Sequence, residues 1–263
     1  MHFRHCWLVL GVFSCAGAQE PERVELPVKV ADRGVMPVET DLGYEVTLSE
    51  ARLVIDDLQF TIAGEAHAAS VWQRCADWLV PAAHAHPGHY EGGDVTGELA
   101  GHFVLDLMHD SDGPLGMATL IVGSYTSTNF TFGMASAADG LPTGDVLIGH
   151  TARLRGRATM GDQAIDFSAV LDAPPGRQLV GAPFEVEVSA ASAFDVNFQL
   201  MTRDPLEGDT LFDGIPFADL PRDEGSVEMG AGSTDAAMIE AYNTLHRTFQ
   251  THDHFRLVVQ SAE

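Results

Sequence analysis

The sequence predicts an all-β fold: an antiparallel β-sandwich or barrel-like sheet with one long insertion and one C-terminal helix. Three observations predict it. Short alternating runs rich in β-branched and aromatic residues recur along the chain, each bounded by Gly, Pro or Asp. The stretch Ser70 to Asp94 breaks that rhythm with Trp72, Cys75, Trp78 and crowded histidines. The stretch Thr234 to Gln250 holds the best helix formers.

Taken in order, the strands begin with Glu25 to Val30, which alternates around Pro27, then Tyr44 to Leu48 and Arg52 to Ile62. After the insertion come Gly101 to Met108, Met117 to Ser124, Asn129 to Met134, His150 to Thr159, Ala164 to Leu171 and Phe184 to Val188. Gly161-Asp162 reads as a hairpin turn between two of them. Ala193 to Met201 closes the series, with Phe194, Val196, Phe198 and Leu200 on a buried face and Asp195, Asn197 and Gln199 on the other. Arg203 to Gly232 is rich in Asp, Pro and Gly and reads as loop. Ser233 or Thr234 can cap the helix, and Asp235 complements its N-terminal dipole. Thr251 to Val259 reads as a last strand, with His252, His254 and Arg256 on one face.

The N-terminus reads as an export signal. His2, Arg4 and His5 precede an apolar run, Cys6 to Phe13, that is too short to span a bilayer. The expected organisation is a signal peptide over 1–14, a lipidated tether over 15–23 and a single β-rich domain over 24–263. The alternative is ordinary secretion, with Ala16-Gly17-Ala18 as the cleavage signal and no lipid on Cys15.

Composition limits the partners. The chain carries 38 acidic residues against 14 basic ones, a net charge of −24, and Lys29 is its only lysine. That balance argues against nucleic acid and against adhesion to an anionic membrane, and it favours cations. With Cys6 removed and Cys15 lipidated or removed, Cys75 has no partner for an intramolecular disulfide, so the apolar core must hold the fold.

The chemistry lies in histidine. Ten of the 12 histidines follow the leader, and they include two His-x-His pairs, His84/His86 and His252/His254. Chance placement gives roughly 0.4 such pairs. In extended backbone, residues i and i+2 project to one side, so two imidazoles can reach one ion. In Ala83-His84-Ala85-His86-Pro87-Gly88-His89-Tyr90, Pro87 favours extended backbone at His86. The Pro87-Gly88 turn can then bring His89 back to the pair. A three-imidazole set suits copper or zinc rather than calcium or magnesium. His84, His86 and His89 are the primary candidate ligands; His67, His252 and His254 are secondary ones. Asp110-Ser111-Asp112-Gly113 lacks the rest of a calcium loop and reads as a turn. The sequence holds no G-x-S-x-G, H-E-x-x-H, P-loop or dinucleotide fingerprint.

Two resemblances accompany these motifs. Val12-Phe13-Ser14-Cys15 resembles the lipobox of bacterial lipoproteins, which implies cleavage before Cys15, a lipid on its thiol, and a place in the bacterial cell envelope held by that lipid anchor alone. The lipobox, Glu45 to Leu53 and the Ala83 to Tyr90 stretch together resemble a group of uncharacterised bacterial envelope lipoproteins sharing A-H-A-H-P-G-H-Y. More distantly, an exported β-rich domain with His-x-His and tryptophans is similar to the copper-binding MbnP-type periplasmic proteins. That similarity implies copper acquisition and an envelope transporter or receptor as partner; its ligand positions do not transfer to this chain. The expectation is therefore an exported lipoprotein that captures, stores or transfers copper or zinc. Its rivals are an envelope metalloenzyme, which needs an open coordination position beside a pocket, and a β-sandwich interaction module whose histidines serve no metal.

Overall fold

The computed structural model describes residues 21–62 and 94–261. Among the described residues, twelve strands form one sheet, with one α-helix near the C-terminal end of the described chain. In chain order they are β1 (Arg23–Val30), β2 (Val38–Glu39), β3 (Glu45–Ile62), β4 (Val95–Asp106), β5 (Gly116–Ile121) and β6 (Gly123–Phe132), followed by β7 (Ala152–Met160), β8 (Gln163–Leu171), β9 (Gln178–Val188), β10 (Phe194–Leu200), β11 (Ser226–Met229) and β12 (Phe255–Ser261). The helix α1 spans Ala236–Phe249. The all-β class with one C-terminal helix is thus as the sequence predicts. The sheet is mixed rather than wholly antiparallel, because β1 pairs with β10 and β8 with β11 in parallel. Both parallel partners are far apart in sequence, as parallel pairing requires a long crossover.

The spine is β3. The two runs read separately, 44–48 and 52–62, form one strand of 18 residues. Its first half pairs with β7 and its second half with β6 along the same edge, while β4 takes the other edge. Such a long strand can serve two neighbours on one edge only by bending. The register shifts at Leu48/Glu50 and at Asp56/Leu58 supply the bends, the second with Asp57 at φ 44°.

Following the ladders from β9 through β6, β3, β4, β5, β1 and β10 to β12 gives a path of eight strands whose two ends lie side by side. The result is a ring closed by packing at the β9–β12 seam. Its interior is aromatic: Phe130 meets Phe198 at 5.4 Å and Phe255 at 5.3 Å, and Phe60 meets Phe184 at 5.3 Å, all edge-on. The first half of β3 continues into a wing of β7, β8 and β11, where Phe167, Phe212 and Phe217 cluster. Ring and wing share one continuous buried core.

Helix α1 starts at Asp235, whose carboxylate accepts from the N–H groups of Ala237 and Met238. Asp235 therefore takes the capping role expected of Ser233 or Thr234. The helix buries Met238, Ala241, Tyr242, Leu245 and Phe249, the single stripe of an amphipathic helix. Val196, Phe198 and Leu200 of β10 are buried as the alternation predicts, but Asn197 and Gln199 are also only 5% and 1% exposed. The reason is position: β10 is an interior strand, and long neighbours extend over its outer side. Lys29 Nζ donates to Asp195 at 2.5 Å, and Arg256 Nε donates to Gln199 Oε1 at 3.1 Å.

Two features place the insertion. Thr61 pairs with Val95, and Ile62 N–H donates to Asp94 O at 3.2 Å, so the chain leaves and re-enters the sheet at one point. On the same rim, Arg23 opposes Ile121, Leu120 opposes Gly97, and Val122 N–H donates to Glu22 O, so β1 begins two strands from that point.

Candidate metal centre

Of the residues singled out in the sequence, Cys15, His67, His84, His86 and His89 lie outside the described residues. His252 and His254 are described, and their arrangement differs from the expected strand. Residues 252–254 form a 3-10 turn, and β12 begins only at Phe255. Successive residues of a 3-10 turn are rotated by about 120°, so i and i+2 diverge where strand alternation would align them. The pair is therefore not a preset chelate.

The two imidazoles have different surroundings. His254 is 2% exposed. Its Nδ1–H donates to Met201 O at 2.8 Å, while Met201 N–H donates to His254 O at 2.8 Å, so side chain and backbone staple the start of β12 to the end of β10. Burial pushes its pKa down, against the smaller upward pull of the Met201 bond and of Asp253, Asp204 and Asp209, and keeps the ring neutral. His252 is half-buried beside Asp253, its Nε2 3.0 Å from that carboxylate. It lines a cleft of about 180 Å³ at the β9–β12 seam, together with Pro183, Glu185, Met201, Phe255 and Arg256. Pro183 has no N–H to offer a ladder there.

The remaining described histidines are tied to acidic or carbonyl oxygens. His109 Nδ1 lies 3.0 Å from Asp106, His150 Nδ1 lies 2.7 Å from Asp172, and His246 Nε2–H donates to Asp172 O at 2.7 Å. His102 contacts two carboxylates, Asp56 at 2.5 Å and Asp139 at 3.2 Å. Among the described residues no group of three or more His, Cys, Asp or Glu side chains is placed to hold a metal ion. Nor is any described helix long and apolar enough to cross a membrane.

No known relative supplies the answer. The chain matches no protein-family model, no curated protein and no solved structure. Its chemistry has to be argued from its own residues. The described part offers a neutral, stapled His254 and a cleft-side His252, and it joins Ile62 to Asp94, the two residues that flank 63–93. Sequence reasoning missed the β9–β12 cleft, since nothing in either strand's pattern says that these two edges face each other. Nor does it give His102 a role, since its two carboxylates come from positions 46 and 37 residues away.

Proposed function

We propose that this chain is an exported, lipid-anchored envelope protein that binds copper or zinc through a histidine cluster in the 63–93 insertion. One observation carries the reading. The β3–β4 hairpin is complete without the insertion: Thr61 pairs with Val95 and Ile62 bonds to Asp94, yet 31 residues intervene. Hairpin connections usually need about 2–5 residues, and longer ones are kept for function more often than for packing. This one holds His67, His84, His86, His89, Trp72, Trp78 and Cys75. Core packing elsewhere gives no reason for that composition.

The roles follow from donor chemistry. His84 and His86, two apart, and His89 after the Pro87-Gly88 turn supply neutral imidazole nitrogens, the donors copper and zinc accept most readily. His252 is the described histidine with the better claim to join them. It sits against β9, and β9 is two strands from the insertion base through the Ile62–Tyr125–Val186 row. His254 has the weaker claim, because its ring is buried and committed to Met201. Copper rather than zinc rests on the likeness to MbnP-type proteins, and capture, storage or hand-over to an envelope partner follows from the same likeness.

Native mass spectrometry of untagged full-length protein tests the reading. We expect one tightly held copper or zinc ion in the wild type. Each of His84→Ala, His86→Ala and His89→Ala should lose most of the affinity, and the triple variant little more, because ligands of one ion fail as a unit. A triple variant that still holds one equivalent with unchanged affinity would overturn the assignment.

A further inference from the structure

The connection between β6 and β7, residues 133–151, is a strap laid over the outer face of β3 and β4. Gly133 N–H donates to Val54 O and Val54 N–H to Thr151 O, which fixes both roots of the strap to one residue of β3. Leu147 and Ala135 form a small second core with Val54, and Leu141 and Val104 pack against it. Two polar contacts tie the strap down. Toward its far end Asp145 accepts both Nη groups of Arg52, at 2.8 and 2.9 Å. Toward its near end Asp139 faces His102 of β4, whose other ring nitrogen faces Asp56 of β3.

That second contact has a protonation requirement. A neutral imidazole has one N–H; His102 Nδ1 lies 2.5 Å from Asp56 and Nε2 lies 3.2 Å from Asp139, and both partners are carboxylates. Only the imidazolium donates to both. We propose that His102 is a proton-operated latch, which in its protonated form holds the 136–141 half of the strap on the sheet and in its neutral form lets that half go. When the proton leaves, the shorter bond to Asp56 keeps the remaining N–H. A ring lone pair at Nε2 is then left facing the Asp139 carboxylate, so attraction is replaced by repulsion. Asp139 is left with its bond from Ser136 N–H at 2.6 Å, so the turn it caps loses its tie to the sheet and opens more often.

The surrounding charges act in the same direction. The groups facing His102 are Asp56 on β3 and Asp139 on the strap; Asp57 of β3 spends an oxygen on Gly101 N–H at 2.8 Å. Partial burial alone would lower the His102 pKa, but the hydrogen bonds and charges of Asp56 and Asp139 outweigh it and raise it. The Asp139 carboxyl is held below its usual range, first by the Ser136 N–H. The latch is therefore closed from above the Asp139 titration up to the raised His102 titration, and it opens as the pH climbs beyond that. Arg52 stays charged throughout, so the 142–150 half remains fixed.

Nuclear magnetic resonance on the full-length protein tests this. Ring nitrogen shifts should show His102 as imidazolium at pH 6 and as a neutral Nδ1–H tautomer at high pH. Over the same range, exchange of the Ser136, Ala138 and Asp139 amides, corrected for intrinsic rate, should rise about fivefold, on the scale of an exposed ion pair. The Ile148 and Gly149 amides should not change. His102→Arg should stay latched and pH-independent, and His102→Gln should exchange fast at every pH. A neutral ring at pH 6 would overturn the proposal, as would 136–139 exchange that ignores pH in the wild type.

Discussion

At the scale of single residues, His254 joins local geometry to global stability. Its neutral ring is required by the fold, since burial holds its pKa below the ordinary value of about 6.5. The unfolded chain takes up a proton there as pH falls through about 6.5, whereas the native ring resists until its lower pKa is reached. Stability from this residue is thus complete above about 6.5 and lost on acidification. We expect the thermal midpoint to fall between pH 7 and pH 5. In His254→Asn, whose amide N–H can replace Nδ1–H toward Met201 O, the fall should be shallower and the pH 7 cost about 1–2 kcal/mol. Calorimetry at the two pH values decides it; equal slopes would remove His254 from the account. Asp145 has the same sign in a lower pH window. The Arg52 hydrogen bonds hold its carboxyl down to about 2, so its contribution is complete above the ordinary carboxylate value of about 3.8 and is lost as the pH falls toward 2.

Elements explain how much could be read in advance. Runs such as 164–171 and 193–201 were legible because alternation and turn residues are local properties, and both are strands within a residue of the reading. Gly161 opens the β7–β8 turn at φ 58°, as the hairpin dipeptide implies. What stayed hidden depends on neighbours. Ser226–Met229 carries no strong signal and is a strand because β8 offers it a parallel edge. His252 and His254 look like alternating strand residues, yet the return from α1 is tight enough to impose a 3-10 turn. The candidate cluster itself was legible only as spacing, because it falls in residues 63–93. A prediction follows from the closed base of that insertion. Joining Ile62 to Asp94 through Asn-Gly in place of 63–93 should leave the far-ultraviolet dichroism β-dominated and a cooperative unfolding transition intact, while tight metal binding disappears. Collapse of the transition would mean that the segment is part of the core.

For the whole molecule, the net charge of −24 is the governing quantity. Several described cations are committed to ion pairs, among them Arg157 to Asp166 at 2.7 Å, Arg52 to Asp145 and Glu50, and Lys29 to Asp195. Exposed ion pairs contribute little, so repulsion among the surplus carboxylates should dominate the response to salt. Raising sodium chloride from about 0.01 M to 0.5 M shortens the screening length several-fold and should raise the thermal midpoint, by about 2–4 °C for each kcal/mol of repulsion removed. A midpoint that drops with salt would show instead that the ion pairs outweigh the surplus.

The shared rim also sets an orientation. Glu22 and the Ile62–Asp94 base stand on the same edge of the sheet, two strands apart. Strands lie about 4.8 Å apart, so the two exits are separated by only about 10 Å. A tether from Cys15 to Glu22, even fully extended, spans no more than about 26 Å. Any anchor at Cys15 therefore holds the root of the histidine-bearing segment within a few nanometres of the lipid surface. An ion gathered by such a segment would be held close to the membrane, within reach of whatever channel or carrier stands there.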